Sequence, residues 1–180
     1  MLFHKGFTLV ELIVVIGIIG ILATLGIGSY SNIQKAARDA KRLSDMKDIQ
    51  TALAQYYAQN GHYENVYTYG EGGPCGGWDS SYNDNNGNGI PFVDFLETSG
   101  LIEDVPTDSL DSTTKSNCGN YAYYRYNAGS YSCPTAKGNY YVLGIRNLEN
   151  TTGPHKSSRG WSCPDRNWQT EFEWVVGVYE

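Results

Sequence analysis

Charged side chains are absent from one long stretch of the sequence, between Leu12 and Gln34. A helix needs roughly 20 apolar residues to cross the hydrocarbon core of a bilayer, and this stretch is long enough. A buried core helix would be shorter. A cleaved secretory signal would end its helical pattern at a small-residue site, whereas the helical pattern here continues from Ser29 to Gln59. The absence of charge therefore predicts a membrane-embedded helix that the working protein retains.

Positive charge is also scarce, with 13 Lys and Arg against 19 Asp and Glu, a formal net charge of -6. The average surface would repel a phosphate backbone, which excludes nucleic-acid binding by bulk electrostatics. No Ser-His-Asp, paired-carboxylate or phosphate-cradling arrangement is present, and His62 and His155 are isolated in sequence. These absences argue against an enzyme.

Metal-ligand spacing is missing from the cysteines, which form neither a CxxC pair nor a zinc ribbon. An even number of cysteines in a polar, loop-rich region is typical of an exported domain stapled by disulfides. A predicted strand separates Cys118 from Cys133, which argues weakly against that pair, and the two other connectivities stay open. The predicted disulfide cysteines are Cys75, Cys118, Cys133 and Cys163.

One acidic residue, Glu11, lies at the edge of the apolar stretch, after Phe7-Thr8-Leu9-Val10. A carboxylate costs on the order of 2.5–3.5 kcal/mol at the centre of a membrane span and less near its edge. A simple anchor has no use for that cost, so Glu11 implies a cationic partner. A chain cut just before Phe7 would supply one, as a free α-amino group.

The segment Lys5-Gly6-Phe7-Thr8-Leu9-Val10-Glu11-Leu12, with its short basic leader, resembles the type IV pilin and type II secretion pseudopilin family. The resemblance implies that a membrane prepilin peptidase removes residues 1–6 by cleaving after Gly6. It also implies that Phe7 becomes the methylated N-terminus and that Glu11 pairs with the N-terminal amine of a neighbouring subunit. Where many pilins have a proline this chain has Gly28, which favours local flexibility around Gly26–Gly28.

The basic leader predicts the orientation of the precursor, because positive residues stay on the cytoplasmic side of a membrane. The head is expected outside the inner membrane, and the assembled filament outside the cell or at its surface. The expected partners are copies of this chain, other pilins and the prepilin peptidase, together with an unidentified surface or DNA ligand. Two alternatives remain: a pseudopilin of a type II secretion system, and a membrane-tethered binding module that never polymerises.

The organisation expected from the sequence has four parts: a leader at 1–6, a transmembrane or filament-core helix at 7–30, an amphipathic helix at 31–60 and a disulfide-stapled head at 61–180. The amphipathic half has apolar residues at three- and four-residue steps, and Asn60-Gly61 is a suitable stop. Its charges are expected to form a solvated or subunit-facing surface, with i,i+4 pairs from Lys35 to Asp39 and from Lys41 to Asp45. Charged residues of that surface are Lys35, Arg38, Lys41, Arg42, Asp45 and Lys47.

The head is expected to have a short helix through Phe92–Glu97 and three strands. Tyr121–Tyr126 and Tyr140–Ile145 form a hairpin in this prediction, and Glu171–Tyr179 adds the third strand. Antiparallel strands packed on the amphipathic half of the helix give an α+β, pilin-like fold. The many tyrosines are expected mainly in core and cross-strand packing, with an exposed adhesive surface as the alternative.

A segment of the head from Asp84 to Gly89 matches the first half of a calcium loop. Asp84, Asn86 and Asn88 would supply oxygen ligands, and glycine follows at the sixth position. The carboxylate expected at the twelfth position is missing, and Asp94 or Glu97 could replace it only with a different loop path. Calcium is therefore one prediction for this segment, and an ordinary Asn-Gly turn is the other.

Overall fold

A computed structural model describes residues 6–65, 77–81, 92–111 and 119–180. Within these ranges, residues 25–29 are described by their helical backbone only. Two of the predicted disulfide cysteines, Cys75 and Cys118, lie outside the described residues.

A single long helix, α1 (Leu9–Asn60), contains 52 residues and is therefore about 78 Å long. Its helical backbone continues through Gly26–Gly28. The helix ends where Gly61 adopts the left-handed conformation at φ 74°, and the Gly61 N–H donates to the carbonyl of Tyr57 at 2.8 Å. Glycine carries no Cβ penalty there, so the predicted stop at Asn60-Gly61 is confirmed.

The head contains a four-stranded antiparallel sheet built from β1 (Asp79–Ser80), β2 (Tyr121–Tyr126), β3 (Tyr140–Ile145) and β6 (Trp174–Tyr179), in the order β1-β2-β3-β6. The predicted hairpin is confirmed, with Tyr121 opposite Ile145 and Tyr126 opposite Tyr140. A second, two-stranded sheet pairs β4 (Ser162–Cys163) with β5 (Arg166–Asn167).

Three elements differ from the sequence prediction. The last strand begins at Trp174, because Trp168–Thr170 form a 3₁₀ turn and Phe172 is buried under the sheet. The short helix α2 is Asp94–Thr98, one to two residues later than expected, since Val93 before it is left-handed at φ 42°. Strand β1 was not predicted, because two residues carry no periodicity.

The sheet packs on α1 through one face. Alternate residues of β2 and β3 point towards the helix, as the two-residue period of a strand requires. The main core contains Met46, Ile49 and Leu53 of the helix, Phe92, Val93 and Leu96 near α2, and Tyr121, Tyr123, Tyr141, Leu143, Ile145 and Trp174 of the sheet.

A second core covers the opposite face of the same sheet. It includes Trp78, Ala122, Tyr126, Tyr140, Val142, Trp168, Phe172 and Val175. The disulfide between Cys133 and Cys163 lies within it and joins the loop after β2 to β4. All six residues of β3 are buried as a result. Of the twelve tyrosines in the described ranges, seven are buried in the head, which agrees with the expected role in core packing.

The expectation of a solvated charged surface on α1 is wrong for Arg42 and for Asp45. The Arg42 side chain is only 3% exposed and forms ion pairs with Asp108 at 2.7 Å, Asp39 at 2.8 Å and Glu149 at 3.0 Å. Asp45 is buried and accepts a hydrogen bond from the Tyr121 hydroxyl at 2.8 Å. These charges face the head because the sheet and two loops pack over that side of the helix.

The two predicted i,i+4 pairs have different outcomes. Lys41 and Asp45 form theirs at 2.8 Å. Asp39 instead pairs with Arg42 and accepts the backbone N–H groups of Glu149 and Asn150, each at 2.9 Å. The expected Lys35 to Asp39 pair is therefore wrong: helix periodicity cannot indicate which acids a distant loop will engage.

Candidate functional site

Thr8 and Glu11 form a hydrogen-bonded box at the start of α1. The Thr8 N–H and hydroxyl both donate to Glu11 Oε2 at 2.8 Å, and the Glu11 N–H donates to Thr8 Oγ1 at 3.2 Å. The box satisfies N–H groups that have no partner within a helix, and it places a carboxylate at the positive end of the helix dipole. Glu11 is thus held one turn from the point where the helix begins.

The sequence itself carries a signal for this box. Thr8 followed three residues later by Glu11, directly before an apolar run, is the sequence pattern of a capping box. The partner sought for Glu11 was a cation. The structure adds a partner within the same chain, the polar groups of Thr8.

The predicted cleavage position lies immediately before this box. Gly6 and Phe7 precede the helix, both are exposed, and Phe7 is 89% accessible. Exposed, non-helical backbone is the form in which a peptide bond is accessible to a peptidase. The roles of Gly6 and Phe7 in cleavage, of Phe7 in methylation and of Glu11 in assembly remain predictions.

A broad apolar surface follows the box along the first half of α1. Its large side chains are more than half exposed: Leu9, Val10, Leu12, Ile13, Val14, Val15, Ile16, Ile18, Ile19, Ile21 and Leu22. They surround the helix instead of forming one stripe, which is typical of a helix enclosed by apolar material on all sides. Among the described residues, no helix is both long enough and apolar enough to cross a membrane.

The second half of α1 is attached to the head by an ionic cluster, defined as Arg38, Asp39, Arg42, Asp108 and Glu149. Arg38 contributes a two-pronged contact with Glu149, each N–O distance 2.6 Å. Burial by itself would raise the pKa of Asp108, but hydrogen bonds from Arg42 and Asn120 outweigh burial and lower that pKa. The cluster fixes the direction in which the apolar half of α1 leaves the head.

The predicted calcium ligands are not brought together within the described part of the chain. Asp84, Asn86 and Asn88 lie outside the described residues, and Asp94 is the first residue of α2. Burial and the negative charge of Glu64 raise the pKa of Asp94. Across the described ranges, no group of three or more His, Cys, Asp or Glu side chains could hold a metal ion. Calcium at Asp84–Gly89 remains a prediction.

Comparison with known proteins adds evidence for the N-terminal third. Residues 1–27 match the family model described as the prokaryotic N-terminal methylation motif. The type II secretion system core protein G of Escherichia coli is 41% identical over 60 residues, which cover 33% of this chain and 41% of that protein. The type IV major pilin protein PilA of Myxococcus xanthus is 32% identical over 60 residues, covering 33% of this chain and 27% of PilA.

A third relative, the type IV major pilin protein PilE1 of Neisseria gonorrhoeae, is 34% identical over 72 residues, or 39% of this chain and 44% of PilE1. The chain thus spans less than half the length of these curated relatives. No solved structure matches the chain.

A long helix with an exposed first half, a small antiparallel sheet packed on its second half and a match to an N-terminal methylation motif are the features of a pilin-like fold. Over its N-terminal third, the chain is similar to type IV pilins and to type II secretion pseudopilins. The relatives named above are pilins and secretion-system core proteins, not enzymes.

Proposed function

We propose that this chain is a structural subunit of a type IV pilus-like surface filament, used in adhesion, motility or DNA uptake. It assembles through α1 after a prepilin peptidase has removed residues 1–6. The observation that carries the proposal is the Glu11 carboxylate, fixed at the start of a helix whose apolar surface is exposed on all sides. Packing such helices together removes that surface from water, at about 25 cal/mol for each Å² buried.

Cleavage before Phe7 would create an ammonium group one residue from Thr8, close to the carboxylate that Thr8 already holds. In a filament, the amine of a neighbouring subunit would neutralise Glu11 in an apolar surrounding. A subunit that entered out of register would leave both charges unpaired. The pair would therefore select the register of assembly more than it would raise stability.

Before assembly, the precursor is held in the inner membrane by residues 7–30, with the head on the outer side. This placement rests on the basic leader and on the uncharged run from Leu12 to Gln34. It also places the four cysteines in an oxidising compartment, where a disulfide such as Cys133–Cys163 persists.

Glu11→Ala tests the proposal directly. We expect filament yield, counted on electron micrographs, to fall more than about tenfold, because an unpaired charge in an apolar core costs about 3 kcal/mol or more. Glu103→Ala is the matched control, since Glu103 is an exposed acid on the head. Equal filament yield from Glu11→Ala and wild type would instead favour a simple membrane tether.

Mass spectrometry of the purified fibre tests the processing step. The expected chain begins at Phe7, carries one methyl group on its α-amine and lacks the hydrogens of four thiols. A native chain that retains Met1 would contradict both cleavage and the proposed pairing of Glu11.

A pseudopilin of a type II secretion system is the second candidate, favoured by the 41% identity to core protein G. Immunogold labelling of the head separates the two roles. A long extracellular fibre containing this chain supports the pilus subunit, whereas label confined to the periplasm supports the pseudopilin.

A further inference from the structure

A cavity of about 320 Å³ lies on the head, beside the end of β3 and the start of β6, and its lining includes no residue of α1. Its walls come from the residues that follow β3, from the loop near residue 153 and from the segment between β5 and β6. The lining includes Arg146, Asn147, Gln169, Glu171, Phe172 and Glu173. The volume is at the lower end of the range for small-molecule sites.

Arg146 is held rigidly in the wall of this cavity. Its backbone N–H donates to the carbonyl of Asn120 at 2.9 Å, which fixes it to the end of β3. Its guanidinium lies over the Phe172 ring, with 5.1 Å from Cζ to the ring centroid. Stacking uses the face of a guanidinium and leaves its in-plane N–H donors for a ligand.

One donor of Arg146, the Nε–H of its guanidinium, is left without an acceptor in the part of the chain that the structure describes, and this Nε is buried. Burial lowers the pKa of Arg146, yet a guanidinium stays charged at neutral pH. A buried cationic donor without an acceptor is rare in folded proteins and calls for an explanation.

The acids beside Arg146 are already engaged with other groups. Both carboxylate oxygens of Glu171 accept hydrogen bonds from Arg166, at 2.9 and 2.8 Å. Glu173 accepts the backbone N–H of Leu148. Neither acid therefore gives Arg146 the two-pronged contact that Arg38 and Arg42 make elsewhere in the chain.

We infer that this cavity binds a carboxylate through the guanidinium of Arg146. The planar donor pair of arginine matches the two oxygens of a carboxylate. Glu171 and Glu173 in the same wall would repel a doubly charged phosphate more strongly than a singly charged carboxylate. Glu173 and the exposed Asn147 can also contact hydroxyl groups next to the carboxylate. A sugar acid has this combination of groups.

The test compares glucuronate with glucose, which lacks the carboxylate, using the full chain in detergent micelles and saturation-transfer NMR. Wild type is expected to bind glucuronate saturably and glucose at least about tenfold more weakly, because a charged hydrogen-bond pair is lost. Arg146→Gln should abolish the preference, and Arg146→Lys should keep part of it. Arg159→Gln, which changes an exposed arginine outside the cavity, should bind as wild type does.

Three results would overturn the inference: no saturable binding of glucuronate, equal binding of the two sugars, or an unchanged preference in Arg146→Gln. If Arg146→Gln fails to fold, as judged by its thermal transition, the partial loss expected for Arg146→Lys remains the deciding measurement. These binding measurements use unassembled chains, so their outcome does not depend on whether the chain forms filaments.

A final arm identifies the source of the carboxylate. Glucuronate binding that is kept in assembled fibres assigns the cavity to a soluble or surface-bound acid. Binding that is lost on assembly assigns it to an acidic side chain of a neighbouring subunit.

Discussion

Single residues decide how firmly α1 is joined to the head, and Arg42 is the clearest case. Its guanidinium bridges Asp39 on the helix and Asp108 and Glu149 on two separate loops. Because the Arg42 side chain is buried, water cannot take its place beside these acids when the arginine is removed.

We expect Arg42→Met to lower the free energy of unfolding by about 3–5 kcal/mol, since buried acids would lose their cation. Lys41→Ala is the matched control one position earlier: its side chain is 62% exposed and its pair with Asp45 should contribute at most about 1 kcal/mol. Urea titrations of the full chain in detergent measure both. If Arg42→Met lowers the free energy of unfolding by less than about 1 kcal/mol, the ionic cluster does not hold α1 to the head.

Asp79 in β1 is the opposite kind of residue, a buried acid that forms no ion pair within the described ranges. It is 1% exposed, its Oδ2 accepts the N–H of Val93, and its Oδ1 has no hydrogen-bond partner among the described residues. Burial, aided by the charge of Asp94, raises its pKa well above the usual value. The folded state therefore favours the protonated form more than the unfolded state does.

The sign of the pH effect follows from this raised pKa. Stability from Asp79 is fully present below its unfolded pKa of about 3.9 and is lost as pH rises towards the folded pKa. As pH rises from about 4 to about 7, we expect the unfolding free energy of Asp79→Asn to increase relative to that of wild type. Denaturant titrations at several pH values measure this, with Asp104→Asn as the exposed control. A parallel pH dependence in all three proteins would contradict it.

At the scale of elements, the sequence predicted where the central strands of the sheet lie. It did not predict that both faces of the sheet are covered. Tyr121–Tyr126 and Tyr140–Ile145 are rich in aromatic and β-branched residues, so strand propensity and spacing identified the hairpin. The second core under the opposite face depends on Trp78, Trp168 and Phe172, which lie in loops and turns. No periodic pattern marks such residues, so the sequence could not predict that both faces are covered.

Gly177 in β6 provides a test of this second core. A Cβ at this position would clash with the Trp161 ring. Gly177→Ala should therefore cost about 1–3 kcal/mol of unfolding free energy through overpacking. The same change in a Trp161→Ala background should cost clearly less, which a double-mutant cycle measures. Equal costs in both backgrounds would mean that the ring does not press on the strand.

For the whole molecule, the disulfide between Cys133 and Cys163 adds a covalent tie across the second core. This pair is compatible with only one connectivity of four cysteines, in which Cys75 joins Cys118. We expect non-reducing peptide mapping to recover both pairs. A Cys133→Ala, Cys163→Ala double variant should lose about 2–4 kcal/mol, measured by denaturant titration. A peptide linking Cys118 to Cys163 would contradict the predicted connectivity.

Local chemistry was sufficient to determine the long helix, its stop at Gly61, the central hairpin and the motif around Gly6, Phe7 and Glu11. In each of these, the responsible residues are close in sequence, so period, propensity and spacing carry the information. The chain order also places the predicted cleavage position next to the acid that follows it.

Only the tertiary structure decided which charges are buried and which cavities form. Arg42 and Asp108 are 66 residues apart, and the walls of the Arg146 cavity come from three separate segments. Such contacts arise when packing brings distant segments together, and they depend on the shape of the whole head. The sequence pattern of a helix therefore does not distinguish a charge that is solvated from a charge that is buried against an acid.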